Sequence, residues 1–401
     1  ILSNGGGTNA QSAPAQRERE RPLTESAAEQ PQPPQPTGLT VAFAGALPPP
    51  VNGAAVMNDA TIGALAAAGH RVVALDLAAR SERRGPSYHL QRAAAVARAL
   101  AAFRSARFDV AYLSLDGGLG LVYGGALGLV VRLRGKPLIA HHHNYTYIDR
   151  TSVLMRVFLR LAPRSQLHVL LCEPMRSSFE TRYRSDLPAR HRSMVLPNAF
   201  TLGATGLVPP SRAPRLVIGH LSNLSASKGA DLFLDLVEAA GAAGIKVSAR
   251  LAGPVLDSKL LARIETLQKR APDRFAYVGP LFGKDKESFF DGLDVFVFPT
   301  RYPNEAQPLV LLEASARGCI LAAMTRGCIS CDYADAGGLL LSGADSFVAE
   351  TLRWLGELEG DRDRVARLRN RSLEHAEQLA RRAAQAKSDW LRAVVRQAQA
   401  L

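Results

Sequence analysis

From Leu39 onward, short apolar runs alternate with longer stretches whose apolar residues recur at helical spacing. This is the form taken by repeated βα units, in which a parallel sheet is covered by helices on both faces. Strands are predicted over Leu39–Ala46, Arg71–Leu77, Asp109–Ser114, Leu138–Ala140, Leu167–Cys172 and Ser193–Leu196. The helices predicted between them run from the Pro48–Gly53 loop to about Ala68, over Tyr88–Arg104 and over Leu119–Arg134. A Gly- and Pro-rich stretch from Pro197 to Pro214 reads as a linker, after which the alternation restarts. The second set comprises strands at Leu216–Leu221, Lys246–Ala252, Phe275–Val278 and Val295–Pro299, and helices at Ala230–Gly241, Lys259–Arg270, Lys284–Leu293 and Leu309–Arg317. The end, from about Ala349 to Leu401, reads as Arg- and Ala-rich helix. Two successive doubly wound domains place a ligand in the cleft between them, at the carboxyl ends of the strands.

Composition narrows the classes. The chain has 401 residues, 47% apolar and 21% charged, which excludes a small stapled scaffold and wholesale disorder. Residues 1–38 are the exception: rich in Gly, Gln, Pro and charge, they are expected to form a disordered tail. Lys plus Arg number 49 against 36 Asp plus Glu, a net charge of +13, and nearly all the cations are arginine. Such an excess suits an anionic membrane surface or polyphosphate as partner, or reflects base composition alone. No basic run is interleaved with aromatics, so nucleic acid is not expected. Cys172, Cys319, Cys328 and Cys331 are too few for a disulfide framework, and the Cys328-x-x-Cys331 pair lacks a second pair to complete a zinc site. Neither metal nor cofactor is therefore expected. No apolar run reaches the roughly 18 residues of a membrane span, and the N-terminus lacks the blocks of a signal peptide. The expected location is cytoplasmic, with peripheral attachment at the inner membrane face if the basic surface meets anionic lipid.

Three segments can carry chemistry. Asn52-Gly53 precedes a helix whose free N–H groups can hold a phosphate or carboxylate, although the glycine geometry of the dinucleotide and P-loop motifs is missing. Gly219 to Asp231 runs strand, polar loop, Lys228-Gly229, helix, and so gathers hydroxyls, an amide, a lysine and helix N–H groups at one strand end, as a diphosphate requires; the alternative is a solvated helix cap. Pro299 to Ala314 holds two glutamates, Glu305 in the loop and Glu313 one turn into the following helix, both able to address one ligand across the helix start. Carboxylates accept hydrogen bonds from sugar hydroxyls, and the N–H groups near Ala306 and Gln307 can hold a phosphate. A glutamate that only complements the helix dipole is the plainer reading.

In this order the residues resemble a known family. S-N-L-x-x-S-K-G (Ser222–Gly229), then N-E-A-x-P-L-V-L-L-E-A (Asn304–Ala314), with V-L-P-N-A (Val195–Ala199) between the domains and P-P-P-x-N-G (Pro48–Gly53) after the first strand, is similar to the family 4 retaining glycosyltransferases, group 1, of GT-B fold, over roughly residues 39 to 400. The resemblance implies an α/β fold of two doubly wound Rossmann-like domains facing a central cleft. The expected division is tail 1–38, acceptor-side domain 39–200, nucleotide-sugar-binding domain 201–380, and a C-terminal helix 381–401 packing back on the first domain. It also implies a UDP- or GDP-sugar donor, a glycan or lipid-linked acceptor, and no metal requirement.

Carried over by position, Lys228 would hold the donor diphosphate, Glu305 would contact the transferring sugar, and His143 would lie near the reacting centre; these three are the catalytic candidates. The amides of Ala306, Gln307 and Leu309, beside Pro308, would address sugar and phosphate, and Glu313 the ribose hydroxyls. Gly53, with Asn52, would let the first-domain loop approach the phosphates, and Gly279 and Leu281 would border the base. Many members carry Arg where this chain has Asn223, and Arg301 or an arginine of the first domain is expected to supply the missing charge. His141, two positions before His143, would share the cleft face of its strand. A GT-B relative that binds a nucleotide-sugar or a protein partner without transfer, and a nucleotide-sugar epimerase, are the alternative functions on the same fold.

Overall fold

The computed structural model describes residues 38–79, 86–202 and 215–400. The expected tail up to residue 37, most of the Pro/Gly linker and residues 80–85 lie outside the described residues. Two six-stranded sheets form the frame. The first contains β1 (Thr40–Gly45), β2 (Arg71–Asp76), β3 (Val110–Leu115), β4 (Leu138–His142), β5 (Gln166–Leu170) and β6 (His191–Val195), paired in parallel in the order β2-β1-β3-β4-β5-β6. The second contains β7 (Leu216–Leu221), β8 (Val247–Ala252), β9 (Phe275–Tyr277), β10 (Val295–Phe298), β11 (Ile320–Met324) and β12 (Leu339–Leu341), also parallel, in the order β12-β11-β10-β7-β8-β9.

Both faces of each sheet are buried, which is why the strands read as nearly continuous apolar runs. Along β1, Ala42 and Ala44 join one core and Val41 and Phe43 the opposite one; along β3, Leu113 and Leu115 face the first and Val110 and Tyr112 the second. In the second sheet, Val295 and Val297 of β10 pack on one side and Phe296 and Phe298 on the other.

The structure adds elements that the pattern did not show. β11 is Ile-Leu-Ala-Ala-Met, a composition equally suited to a helix, and it is a strand because it fits between β10 and β12. Helices Val153–Leu161 and Glu173–Arg182 occupy a region with no element predicted. β4 continues through His141 and His142, whose side chains are buried rather than marking a polar strand end. The C-terminal stretch is two helices, Ala344–Glu359 and Arg362–Ala398, broken at Gly360-Asp361, where the Asp361 carboxylate caps Arg364 N at 2.7 Å.

The last helix ties the sheets together. Val365 and Ala383 pack in second-sheet cores, whereas Trp390 and Val394 are buried with Val41, Phe43 and Tyr112 under the first. Near its end Gln397 donates to Leu138 O and Ser165 Oγ, both at 3.1 Å, and accepts from Arg192 at 2.7 Å.

Candidate active site

Sheet order decides where a ligand can sit. In the second sheet the chain starts at the centre, builds outward through β8 and β9, then returns to add β10, β11 and β12 on the other side. β7 and β10 are therefore neighbours whose connections leave in opposite directions, and the crevice at their carboxyl ends lies between the two loops singled out in the sequence.

Those loops touch. Lys228 Nζ donates to Glu305 Oε2 at 2.6 Å, Thr300 Oγ1 donates to the same oxygen at 3.1 Å, and the ammonium stands 4.4 Å from the centroid of the Tyr302 ring. Glu305 is buried, while the Lys228 side chain keeps about a quarter of its exposure (23%), so the pair has a sheltered carboxylate and an ammonium still open to the crevice. The close approach rests on Gly229: its φ of +83° is left-handed, and a Cβ there would stand 2.2 Å from Pro299 O. Thr300 and Tyr302 belong to no recognisable pattern in the sequence; only their position just after β10 marks them.

The other expected contacts divide. Glu313 is half-buried and paired with Lys286 Nζ at 2.6 Å, so an incoming hydroxyl would meet an ion pair rather than a free carboxylate. Asn223 is exposed at the loop start, and Gly279 (φ +77°) and half-buried Leu281 follow β9. Pro308 is the N-cap residue of helix Leu309–Ala316, and Ala306 is buried in the loop before it. Arg301 departs from expectation: its Nη2 donates to both Asp231 oxygens, at 2.7 and 2.6 Å, and to Ala226 O at 2.5 Å, so the charge expected to replace an arginine at position 223 is already partnered. The Gln307 side chain is likewise engaged, accepting from Asn198 N at 2.5 Å and donating to Asp332 at 2.6 Å, which ties the interdomain segment to this loop.

On the first domain, β4 alternation places the His141 and His143 rings together, centroids 4.0 Å apart, while His142 turns to the opposite core. There His142 bonds Tyr147 Oη at 3.1 Å and His168 at 3.0 Å. His141, expected beside a substrate, is instead buried behind His143 with its Nδ1 on Tyr112 Oη at 2.8 Å. Burial pushes the His143 imidazole down to about 4, so it is uncharged near neutrality. Its Nε2 is buried and has no hydrogen-bond partner among the described residues, as is also true of His141 Nε2. Asn52 caps helix Gly53–Ala67 by accepting from Ala55 N at 3.0 Å, and Gly53 is exposed with nothing within 4 Å of where a Cβ would stand.

The two domains meet beside the site. Tyr145 N donates to Asn304 O at 3.4 Å, Thr146 bonds both Pro303 O and the Asn304 side chain, and Arg326 pairs with Asp149 at 3.3 Å. His143 and Glu305 thus lie on segments that touch within two residues of each. Cys172 of the first domain comes against Cys328 and Cys331 of the second, the three Sγ atoms within 4.8 Å of one another. The Cys328-x-x-Cys331 pair, short of ligands along the sequence, gains a third thiol from the distant end of β5. No described helix is long and apolar enough to cross a membrane.

Residues 215–357 match the model of glycosyl transferases group 1. No curated protein matches the chain by sequence. Among solved structures, HepE from Anabaena in complex with UDP and glucose is similar at 18% identity and a TM-score of 0.64, over 89% of this chain and 100% of that one. Sucrose-phosphate synthase from Thermosynechococcus elongatus is similar at 16% identity and a TM-score of 0.64, over 89% and 99%. TarM from S. aureus is similar at 13% identity and a TM-score of 0.55, over 74% and 58%. At such identities the likeness to these structures is one of fold.

Proposed function

This chain carries a glycosyl transferases group 1 domain on a GT-B fold, and from that premise we propose a retaining transferase that moves a hexosyl unit from a nucleotide-diphosphate sugar to a glycan or lipid-linked acceptor. The observation that carries the reading is the Lys228–Glu305 pair at the crevice between β7 and β10. A diphosphate leaving group needs preorganised positive charge, and Lys228, with donors beyond the one given to Glu305, supplies it together with the N–H groups that open helix Leu309–Ala316. Held by Lys228 and Thr300, Glu305 is oriented toward hydroxyls of the sugar it would receive.

Retention without a protein nucleophile has the acceptor attack the face from which the diphosphate departs, the alternative being two inversions through a covalent glycosyl-enzyme. In the same-face route the leaving phosphate takes the acceptor's proton, so no protein carboxylate need act as general base. Neutral His143 contributes a hydrogen bond, and the meeting of the Tyr145–Thr146 and Pro303–Asn304 loops excludes water that would hydrolyse the donor. HepE was solved with UDP and with UDP-glucose, which favours a UDP-sugar over a GDP-sugar here. Arg98, Arg104 and Arg107 are exposed on or just after helix Pro86–Ser105 and favour an acceptor presented at an anionic membrane surface.

The test is a thermal-shift panel of UDP, GDP and their sugar conjugates on the full chain and on Lys228→Ala, followed by an assay for nucleotide release with candidate acceptors. Stabilisation by one nucleotide that disappears in the variant is expected. Equal stabilisation of the variant, or binding without any sugar transfer across the acceptor panel, would remove the basis for the assignment.

A further inference from the structure

The three-thiol cluster lies outside the sugar-transfer chemistry and calls for its own account. Cys172 is the N-cap residue of helix Glu173–Arg182 after β5, Cys328 is that of helix Ile329–Tyr333, and Cys331 lies within the latter. All three are free cysteines, two buried and the third at the surface. Cys319, by contrast, is a solitary core thiol donating to Phe290 O at 3.3 Å, as ordinary burial explains. Ordinary burial does not explain three thiols gathered within 4.8 Å across a domain boundary, one of them exposed.

Three sulfurs each about 2.3 Å from a tetrahedral ion stand roughly 3.8 Å from one another, so side-chain adjustments of about 1 Å convert this cluster into a coordination shell. We propose that Cys172, Cys328 and Cys331 bind a thiophilic cation of the Zn²⁺ class and so form a metal clamp between the two domains. Thiolate sulfur selects such ions over Mg²⁺ or Ca²⁺. Each ligating thiol releases its proton to solvent, and a divalent ion with three thiolates carries one net negative charge. The exposed position of Cys331 gives the ion an entry path and leaves its fourth coordination position to water.

The clamp would act on the loop that carries Glu305. Cys328 N donates to Ala306 O at 2.7 Å, and Gly327 (φ +56°) packs so closely that a Cβ there would stand 2.2 Å from Ala306 O and 2.5 Å from Glu305 O. Ala306 and Cys328 themselves pack in the same apolar cluster as Cys172 and Met175 of the first domain. An ion held by all three sulfurs therefore ties the Glu305 loop to the first domain.

Full-length protein kept reduced with a non-thiol reductant and stripped by chelator is titrated with Co²⁺. Thiolate-to-cobalt charge-transfer absorption saturating at one ion per chain, displaced by Zn²⁺, is expected, together with a higher thermal midpoint in Zn²⁺. Cys172→Ser and, independently, the surface substitution Cys331→Ser should each weaken binding at least about 10-fold, while Cys319→Ser should not. The metal-free thermal midpoints of the variants establish that each is folded. Absence of the charge-transfer band in the wild type, or unchanged titrations in both Cys172→Ser and Cys331→Ser, would overturn the proposal.

Discussion

Lys228 Nζ stands 2.6 Å from Glu305 Oε2, although 77 positions of chain separate the two residues. The pair sits where the central strands of the second sheet end, with the Glu305 carboxylate buried and the Lys228 ammonium partly exposed.

Removing the two partners should have different effects, Lys228→Ala costing nucleotide binding and transfer together and Glu305→Gln mainly transfer. Lys228→Ala is expected to lower transfer by roughly 10²- to 10³-fold, the usual cost of losing one preorganised donor on developing charge. Glu305→Gln keeps an acceptor for Thr300 and Lys228, so it should retain nucleotide binding within a few-fold while transfer drops by a comparable factor. Initial rates alongside nucleotide-induced thermal shifts check both; full activity in either variant contradicts the roles given to them.

Gly229→Ala should destabilise the protein without touching a charged group. A left-handed φ of +83° costs a non-glycine residue roughly 1–3 kcal/mol, and a Cβ standing 2.2 Å from Pro299 O adds a steric penalty or displaces the Lys228 loop. Urea denaturation should show the loss, and donor affinity should fall with it.

Trp390→Ala tests the return of the C-terminal helix. The indole is fully buried against Tyr112 and Phe200, and deleting it should cost about 3–5 kcal/mol. Equilibrium unfolding that shows the first domain losing stability before the second is the expected signature.

Acid should weaken the fold through its buried histidines. Burial holds His143 and His220 down at about 4 and His168 at about 3, against an ordinary 6.5. The unfolded chain therefore binds more protons between these limits. The stability these neutral rings confer is complete above pH 6.5 and is lost as pH falls through 4. Unfolding free energies measured from pH 7.5 to 4 should decline across that window, and a flat profile would contradict neutral burial.

Much of the frame was legible along the chain. Leu216–Leu221 is a strand with the bounds its apolar run indicates, and Asn52-Gly53 opens a helix as its capping chemistry suggests. Other features were not legible. Ile320–Met324 is locally indistinguishable from helix, and nothing near Arg301 in the chain indicates that Asp231, on a neighbouring helix, holds its guanidinium.

By itself the sequence determined two successive βα series and the glycines, caps and charged residues at their strand ends, because hydrophobic period and capping act over a few residues. Tertiary structure alone decided that Lys228 meets Glu305, that His141 lies buried behind His143, and that Cys172 joins Cys328 and Cys331. These meetings depend on strand order, crossover direction and the docking of one domain on the other, relationships between distant segments that no local periodicity encodes.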